Sequence, residues 1–238
     1  MTPKRGGKMK KRLVVIFVLL MVVTGLFAQQ AGQFSVGSRL GPSFGFNNSG
    51  DFVDLLKLTL IAEDPFLANM ISISNERLTN FNFVLYGAYT IIDNLSLQAE
   101  LNFMINQGYK IETTMLGLSL GSTKITYSSL DIPILLKYTF VNNPALFGIL
   151  AGPHISIPLG KAKISGFGMS EKFNIENFAT FGLTAGIFGG YQIGPGRILA
   201  DLRFVFDFNA LEEKEEVITI EFMKRRALSL TAGYEISF

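Results

Sequence analysis

The chain has a single histidine, in His154-Ile155-Ser156, and that tripeptide is where a base and a hydroxyl could cooperate. A serine becomes a nucleophile when a base lies within hydrogen-bond reach and a third group orients that base. Residues two apart on a strand share a face, so His154 and Ser156 would point the same way, with Glu171 and Glu176 the nearest later acids. The competing reading is a histidine packed among the glycines of an interior face.

A second set is ionic. Arg39, Lys137 and Arg203 face Glu100, Asp131, Asp201, Asp207 and Glu235 in number, all at strand-like positions. Metal chemistry has little to work with: there is one His, no Cys and no EF-hand spacing. The glycine-containing GLSLGS at 117–122 lies between elements, without the strand-to-helix setting of a phosphate cradle. No cofactor is expected.

The elements that must carry these residues are strands of period two. In ILADLRFVFDF, Ile198, Ala200, Leu202, Phe204, Phe206 and Phe208 alternate with Leu199, Asp201, Arg203, Val205 and Asp207. FSVGSRLGPSFGF does the same, with Phe34, Val36, Leu40 and Phe44 opposite Ser35, Arg39 and Ser43. So do NFNFVLYGAYTI, LSLQAELNFMI with Gln98 and Glu100, SLDIPILLKYTF with Asp131 and Lys137, LFGILAGPHISIPL, TFGLTAGIFGGYQI and ALSLTAGYEISF. That makes eight strands. Connections near 93–94, 141–146 and 194–197 are short, and those around 47–79, 113–124, 159–177 and 209–222 are long. Short turns at one end and long loops at the other predict an all-β, eight-stranded antiparallel up-and-down transmembrane β-barrel, with periplasmic turns and extracellular loops.

Alternation alone suits a soluble lipocalin-like barrel equally well. Two features favour the membrane. The polar face is rich in Gly, Ser and Thr and carries charges of both signs, which suits the narrow, side-chain-filled interior of an eight-stranded barrel. The chain also ends on Phe238 in phase with Ile236, Tyr234 and Leu230, which resembles the terminal signal read by bacterial barrel-assembly machinery. The apolar face is therefore expected outward, with Arg39, Lys137 and Arg203 organising the carboxylates in the lumen.

The opening MTPKRGGKMKKR is basic and precedes an apolar run of 15 residues, Leu13–Phe27. That is shorter than the ~20 residues of a spanning helix. It reads as a signal peptide over 1–28, with a retained anchor as the alternative, followed by a barrel domain over 29–238. Removing it leaves 15 basic residues against 19 acidic ones, so nothing in the composition favours nucleic acid. The absence of cysteine excludes disulfides and thiolate sites.

In the first long loop, SGDFVDLLKLTLIAEDPFLANMISI offers caps at Ser49, Asp51 and Asp64-Pro65 for short helices. Their apolar residues imply a partner, lipid or a lid folded onto the rim. In the last loop, Glu212, Glu213, Glu215 and Glu216 are expected to face Lys224, Arg225 and Arg226 across a solvated hairpin.

The strands VGSRLGPSFGF, LSLQAELNF, LDIPILLKYTF, AGPHISIPL and AGYEISF, in that order, resemble the PorT-like outer-membrane β-barrel family. The resemblance runs from about residue 33 to 238 and implies an eight-stranded barrel; the namesake implies a link to protein secretion. The expectation is a non-enzymatic, monomeric outer-membrane protein whose loops serve envelope integrity, adhesion or protein interaction. Expected partners are outer-membrane lipid, the barrel-assembly machinery and a protein at loop one. The alternatives are a narrow transporter of small or apolar solutes and a secretion accessory.

Overall fold

The computed structural model describes residues 32–46, 66, 70–92, 94–142, 144–166, 168–175, 179–209, 211–214 and 219–238. Residues 1–31, which include the expected signal peptide, lie outside the described residues. So do most of the segments in which short loop-one helices were expected, Phe66 and Met70 apart.

In chain order the strands are β1 (Phe34–Gly45), β2 (Ile71–Glu76), β3 (Thr79–Ile92), β4 (Leu95–Met115), β5 (Leu118–Asn142) and β6 (Ala145–Gly166). Then follow β7 (Met169–Asn174), β8 (Thr180–Ile193), β9 (Gly196–Asp207), β10 (Leu211–Lys214), β11 (Thr219–Met223) and β12 (Arg226–Ser237). Eight of them, β1, β3, β4, β5, β6, β8, β9 and β12, pair antiparallel in sequence around a ring. The ring closes between first and last strands, with Ser35 opposite Ser237 and Gly45 opposite Ala227. Closure leaves no unpaired edge, the condition for a strand structure to cross hydrocarbon.

Each wall strand keeps one greasy and one polar face, and the greasy one looks out. Phe181, Leu136 and Phe204 are about half exposed, while Arg39, Glu100, Asp201 and Gln98 are buried. Outward aromatics gather at both ends of the wall. Tyr138, Phe140 and Phe147 pack together near the turns, and Phe206 meets Phe208 near the loops. Apolar walls flanked by aromatic girdles are the lipid-facing signature of an outer-membrane barrel.

Three strands overrun the membrane. A spanning strand needs ~9–11 residues, whereas β4, β5 and β6 have 21, 25 and 22. Their upper parts, flanked by β2 on β4 and β7 on β6, form a five-stranded sheet beyond the rim. The expected loop at 113–124 is thus a continuous hairpin. Its two-residue turn, Leu116-Gly117, has positive φ at both positions (51° and 81°), which matches the twist of the flanking strands. GLSLGS correspondingly lies in that turn and the start of β5 rather than in a loop. Irregularities explain why alternation failed to reveal the extension: the β4 ladder shifts between Met104 and Gln107, where Asn106 takes φ 59°, and again at Thr113.

Candidate functional site

The barrel interior brings together all eight ionic residues singled out from the sequence, and each is at most 7% exposed. They occupy three tiers along the axis, because inward positions recur every second residue on each tilted strand.

The central tier is a ring of alternating charge. Arg39 on β1 reaches Glu100 on β4 at 2.6 Å and Asp201 on β9 at 2.5 Å. Arg203, two residues along from Asp201, donates to Glu100 at 2.6 Å. Its Nε lies 3.0 Å from Asp201 Oδ1, without the alignment of a hydrogen bond. Gln98 donates to Glu100 and Thr231 to Asp201, and the Arg39 guanidinium lies over the Tyr86 ring. Glycines stand opposite both arginines: a Cβ at Gly233 would meet the backbone of Ser38 and Arg39 and then the Arg39 stem, and one at Gly186 the Leu202 carbonyl and then the Arg203 stem.

The loop-side tier is organised by a cation placed elsewhere by the sequence reading. Arg225, fully buried, donates to Asp131 at 2.7 Å, to Asp207 at 2.9 Å and to Gln107 at 3.1 Å. Asp131 and Asp207 therefore do not gather around Arg39, Lys137 or Arg203. In the last hairpin the backbone ladder sets Glu212 opposite Glu221 and Arg226 opposite Phe206, and Glu215 and Glu216 lie outside the described residues; of the cations expected on that solvated hairpin, Arg225 is the one that turns inward. The signal was present. Carrying the inward phase of β12 two residues back from Ala227 points Arg225 into the lumen, but the surrounding run Lys224-Arg225-Arg226 reads as solvated surface.

His154 belongs to this tier. Its Nδ1 lies 3.0 Å from Thr184 Oγ1, and its Nε2 lies 2.8 Å from Asp207 Oδ1 and 3.0 Å from an Arg225 nitrogen. Nε2 serves one partner at a time, donating to Asp207 when protonated and accepting from Arg225 when not. A Cβ at Gly182 would meet the imidazole, so the histidine is packed against a glycine. Ser156 is buried on the same face, but neither ring nitrogen is spent on it. Among the described residues no acid completes a triad: Asp207 holds the histidine in an ion network, Glu171 sits on β7 beyond the rim, and Glu176 lies outside the described residues.

The turn-side tier pairs Lys137 with Glu235 at 3.3 Å, and Arg197 stands 3.9 Å from Glu235. Lys137 also lies over the Phe188 ring, part of an inward apolar layer with Val84, Leu135, Leu146, Leu150 and Leu199. Below it a vestibule of about 620 Å³ opens at the turn end, lined by Ser35, Ser96, Lys137, Arg197 and Glu235 among others. Above it, the void between Asn102, Asp131, Arg203 and Thr231 measures only about 10 Å³, room for about one water. Leu230, Tyr234 and Ile236 face outward from β12, and Phe238, just past its end, is exposed.

A closed eight-stranded wall, greasy outside and ionic within, narrows the chain to one kind of protein, and residues 27–212 match the outer membrane protein beta-barrel domain. The chain belongs to that family. It is an outer-membrane protein, and its wall is the lipid-facing surface. Among solved structures it is similar to the outer membrane protein OprG of Pseudomonas aeruginosa, at 11% identity over 88% of this chain and 97% of that one, with a TM-score of 0.44. It is also similar to Neisserial surface protein A, at 12% identity over 86% and 97%, with a TM-score of 0.43. The attachment invasion locus protein Ail of Yersinia pestis shares 15% identity over 87% and 100%, with a TM-score of 0.41. No curated protein matches the sequence.

Proposed function

We propose that this outer-membrane barrel is a non-enzymatic, monomeric surface protein whose elements beyond the rim make its functional contacts, in envelope integrity, adhesion or protein interaction. The observation that carries this reading is the filled lumen. Two tiers of hydrogen-bonded ion pairs and an apolar layer span the interior between vestibule and rim. An interior so filled supports no aqueous channel. The sheet carried by β4, β5 and β6 supports the second half, since strands that overrun the bilayer present surface rather than a passage.

In this reading residues 1–28 are a cleaved signal peptide, and the exposed Leu230, Tyr234, Ile236 and Phe238 are what the barrel-assembly machinery engages. A narrow transporter is the second reading, supported by the vestibule of about 620 Å³ at the turn end. The likeness to PorT-like barrels supports a secretion accessory as a finer assignment. Planar-bilayer recording separates the first two. Purified protein is expected to give no steady conductance, whereas stable openings from the unaltered chain would transfer the assignment to transport.

A further inference from the structure

Beyond the rim, the outward side of the β4–β5–β6–β7 sheet collects lysines. Lys110 stands directly opposite Lys124, and Lys163 directly opposite Lys172. Lys124 is opposite Ser165, which places it diagonally from Lys163, and Lys161 is two residues along β6 from Lys163. Their side is fixed by what interleaves with them: Tyr109, Ile111, Ile125 and Ala162 are buried on the other face. Lys124, Lys161, Lys163 and Lys172 are exposed.

Only one of the five lysines is ion-paired. Lys110 holds Glu76 at 2.7 Å; among the described residues the other four make no ion pair. Like charges directly opposite on neighbouring strands destabilise a sheet; Lys110 and Lys124 have Glu76 and Glu112 on their side of the sheet, whereas Lys163 and Lys172, with Lys161 beside them, make no ion pair among the described residues and call for an anion from outside the chain. The position says which. Lys161 follows Leu159, the last exposed aliphatic on β6, by two residues, and the irregularity at Gly160 between them keeps the rise below the ~7 Å of a regular strand. The polar layer above the hydrocarbon is only ~5–8 Å deep, and lysine stems bend their ammonium groups towards it. Cations recur around the rest of the outer rim, where Arg77 lies over Phe46 and Lys224 over Phe206. At the turn end the outward wall positions carry no charge among the described residues. The cationic face thus looks sideways over the outer leaflet rather than upward into solvent.

We infer that this lysine face binds the phosphate-bearing headgroups of outer-leaflet lipid, holding a lipid shell on the β5–β6–β7 side of the barrel. The inference rests on location in the outer membrane and not on the closed lumen, so a conducting barrel would leave it intact.

The test is native mass spectrometry of the detergent-purified chain with bisphosphorylated lipid A as probe, compared with dephosphorylated lipid A and phosphatidylcholine. The unaltered protein is expected to retain the phosphorylated lipid about tenfold better than either control, with the preference collapsing in high salt. Replacing Lys124, Lys161, Lys163 and Lys172 together by Gln should abolish the preference while heat-modifiable mobility reports an intact barrel. If that variant fails to fold, Lys163→Glu and Lys172→Glu taken singly should each cost about threefold or more. Equal retention of all three lipids by the unaltered protein overturns the inference, as does a folded variant that keeps the preference. Full displacement by soluble polyphosphate at equal phosphate concentration overturns the assignment to lipid.

Discussion

Strands β4, β5 and β6 run through two environments, and the same wall reverses its chemistry between them. Inside the membrane their inward residues are Gln98, Glu100, Asp131, Lys137 and His154, and their outward ones are Leu97, Leu136 and Ile155. A few residues further on, past the irregularities at Met104–Gln107 and Thr126–Ser128, the inward positions hold Tyr109, Ile111, Ile125 and Ala162 and the outward ones hold lysine. Strand geometry is common to both halves, so the medium outside the wall decides the pattern. Lipid accepts no unpaired charge, which drives ions into the lumen, where they must neutralise one another. Water accepts the lysines and favours burial of Tyr109, Ile111 and Ile125, so the extension builds a core of its own, with Leu116, Leu118 and Leu120 left exposed at its tip.

That contrast breaks most severely at Arg225. Arg225→Ala leaves Asp131 and Asp207 buried without their cation, which is expected to cost about 3–5 kcal/mol in denaturant titration of the protein in lipid vesicles. A loss below about 1 kcal/mol, within reach of a single ordinary hydrogen bond, would show that the loop-side tier does not depend on its arginine. The next largest effect compares one substitution in the two media. Leu202→Arg places a cation on the lipid-facing wall and should cost about 2–4 kcal/mol. Ser122→Arg, outward on the extension and opposite Glu112, should stay within about 0.5 kcal/mol. Equal costs at the two sites would mean that the outward face of the extension also meets hydrocarbon.

The membrane half was legible in the sequence and the extension was not. Phe204 and Arg203 differ so much in transfer free energy that period two survives along β9 and through the membrane part of the other wall strands, with ladder shifts at their ends, at Thr90–Ile92 and Thr139–Val141. In the extension the bulges reset the period. Thr113, Thr114, Ser119, Ser122 and Thr123 carry too little contrast to restore it, so the hairpin read as a loop. The central ring was only half legible. That Arg39, Glu100, Asp201 and Arg203 face inward follows from phase. That they meet depends on the stagger of strands far apart in sequence, which no local pattern records. Arg225 was hidden by its neighbours Lys224 and Arg226, whose outward positions made the triplet look like surface.

The smallest expected effect tests whether the extension behaves as a water-exposed sheet. Glu76 on β2 and Lys110 on β4 pair at 2.7 Å. Hydrogen bonding with the Glu112 side chain and then with the Lys110 ammonium, which donates to it, holds the Glu76 carboxyl below its ordinary range. The hydrogen bond to Glu76 holds the Lys110 ammonium above its own. A lowered carboxylate pKa stabilises the folded form above the unfolded value, about 4.3, and that contribution disappears as pH falls through the folded value. A raised lysine pKa stabilises below about 10.4 and is lost as pH rises through the folded value. Pairing of β2 with β4 should therefore be firmest between roughly pH 5 and 10, and weaken on either side while the ion tiers of the lumen stay closed. Amide exchange resolved at Ser72–Asn75 across that range, at low and at high salt, measures it. Because the pair is open to water, salt should flatten the profile, and a profile that ignores salt would place these strands in a drier setting than the extension provides.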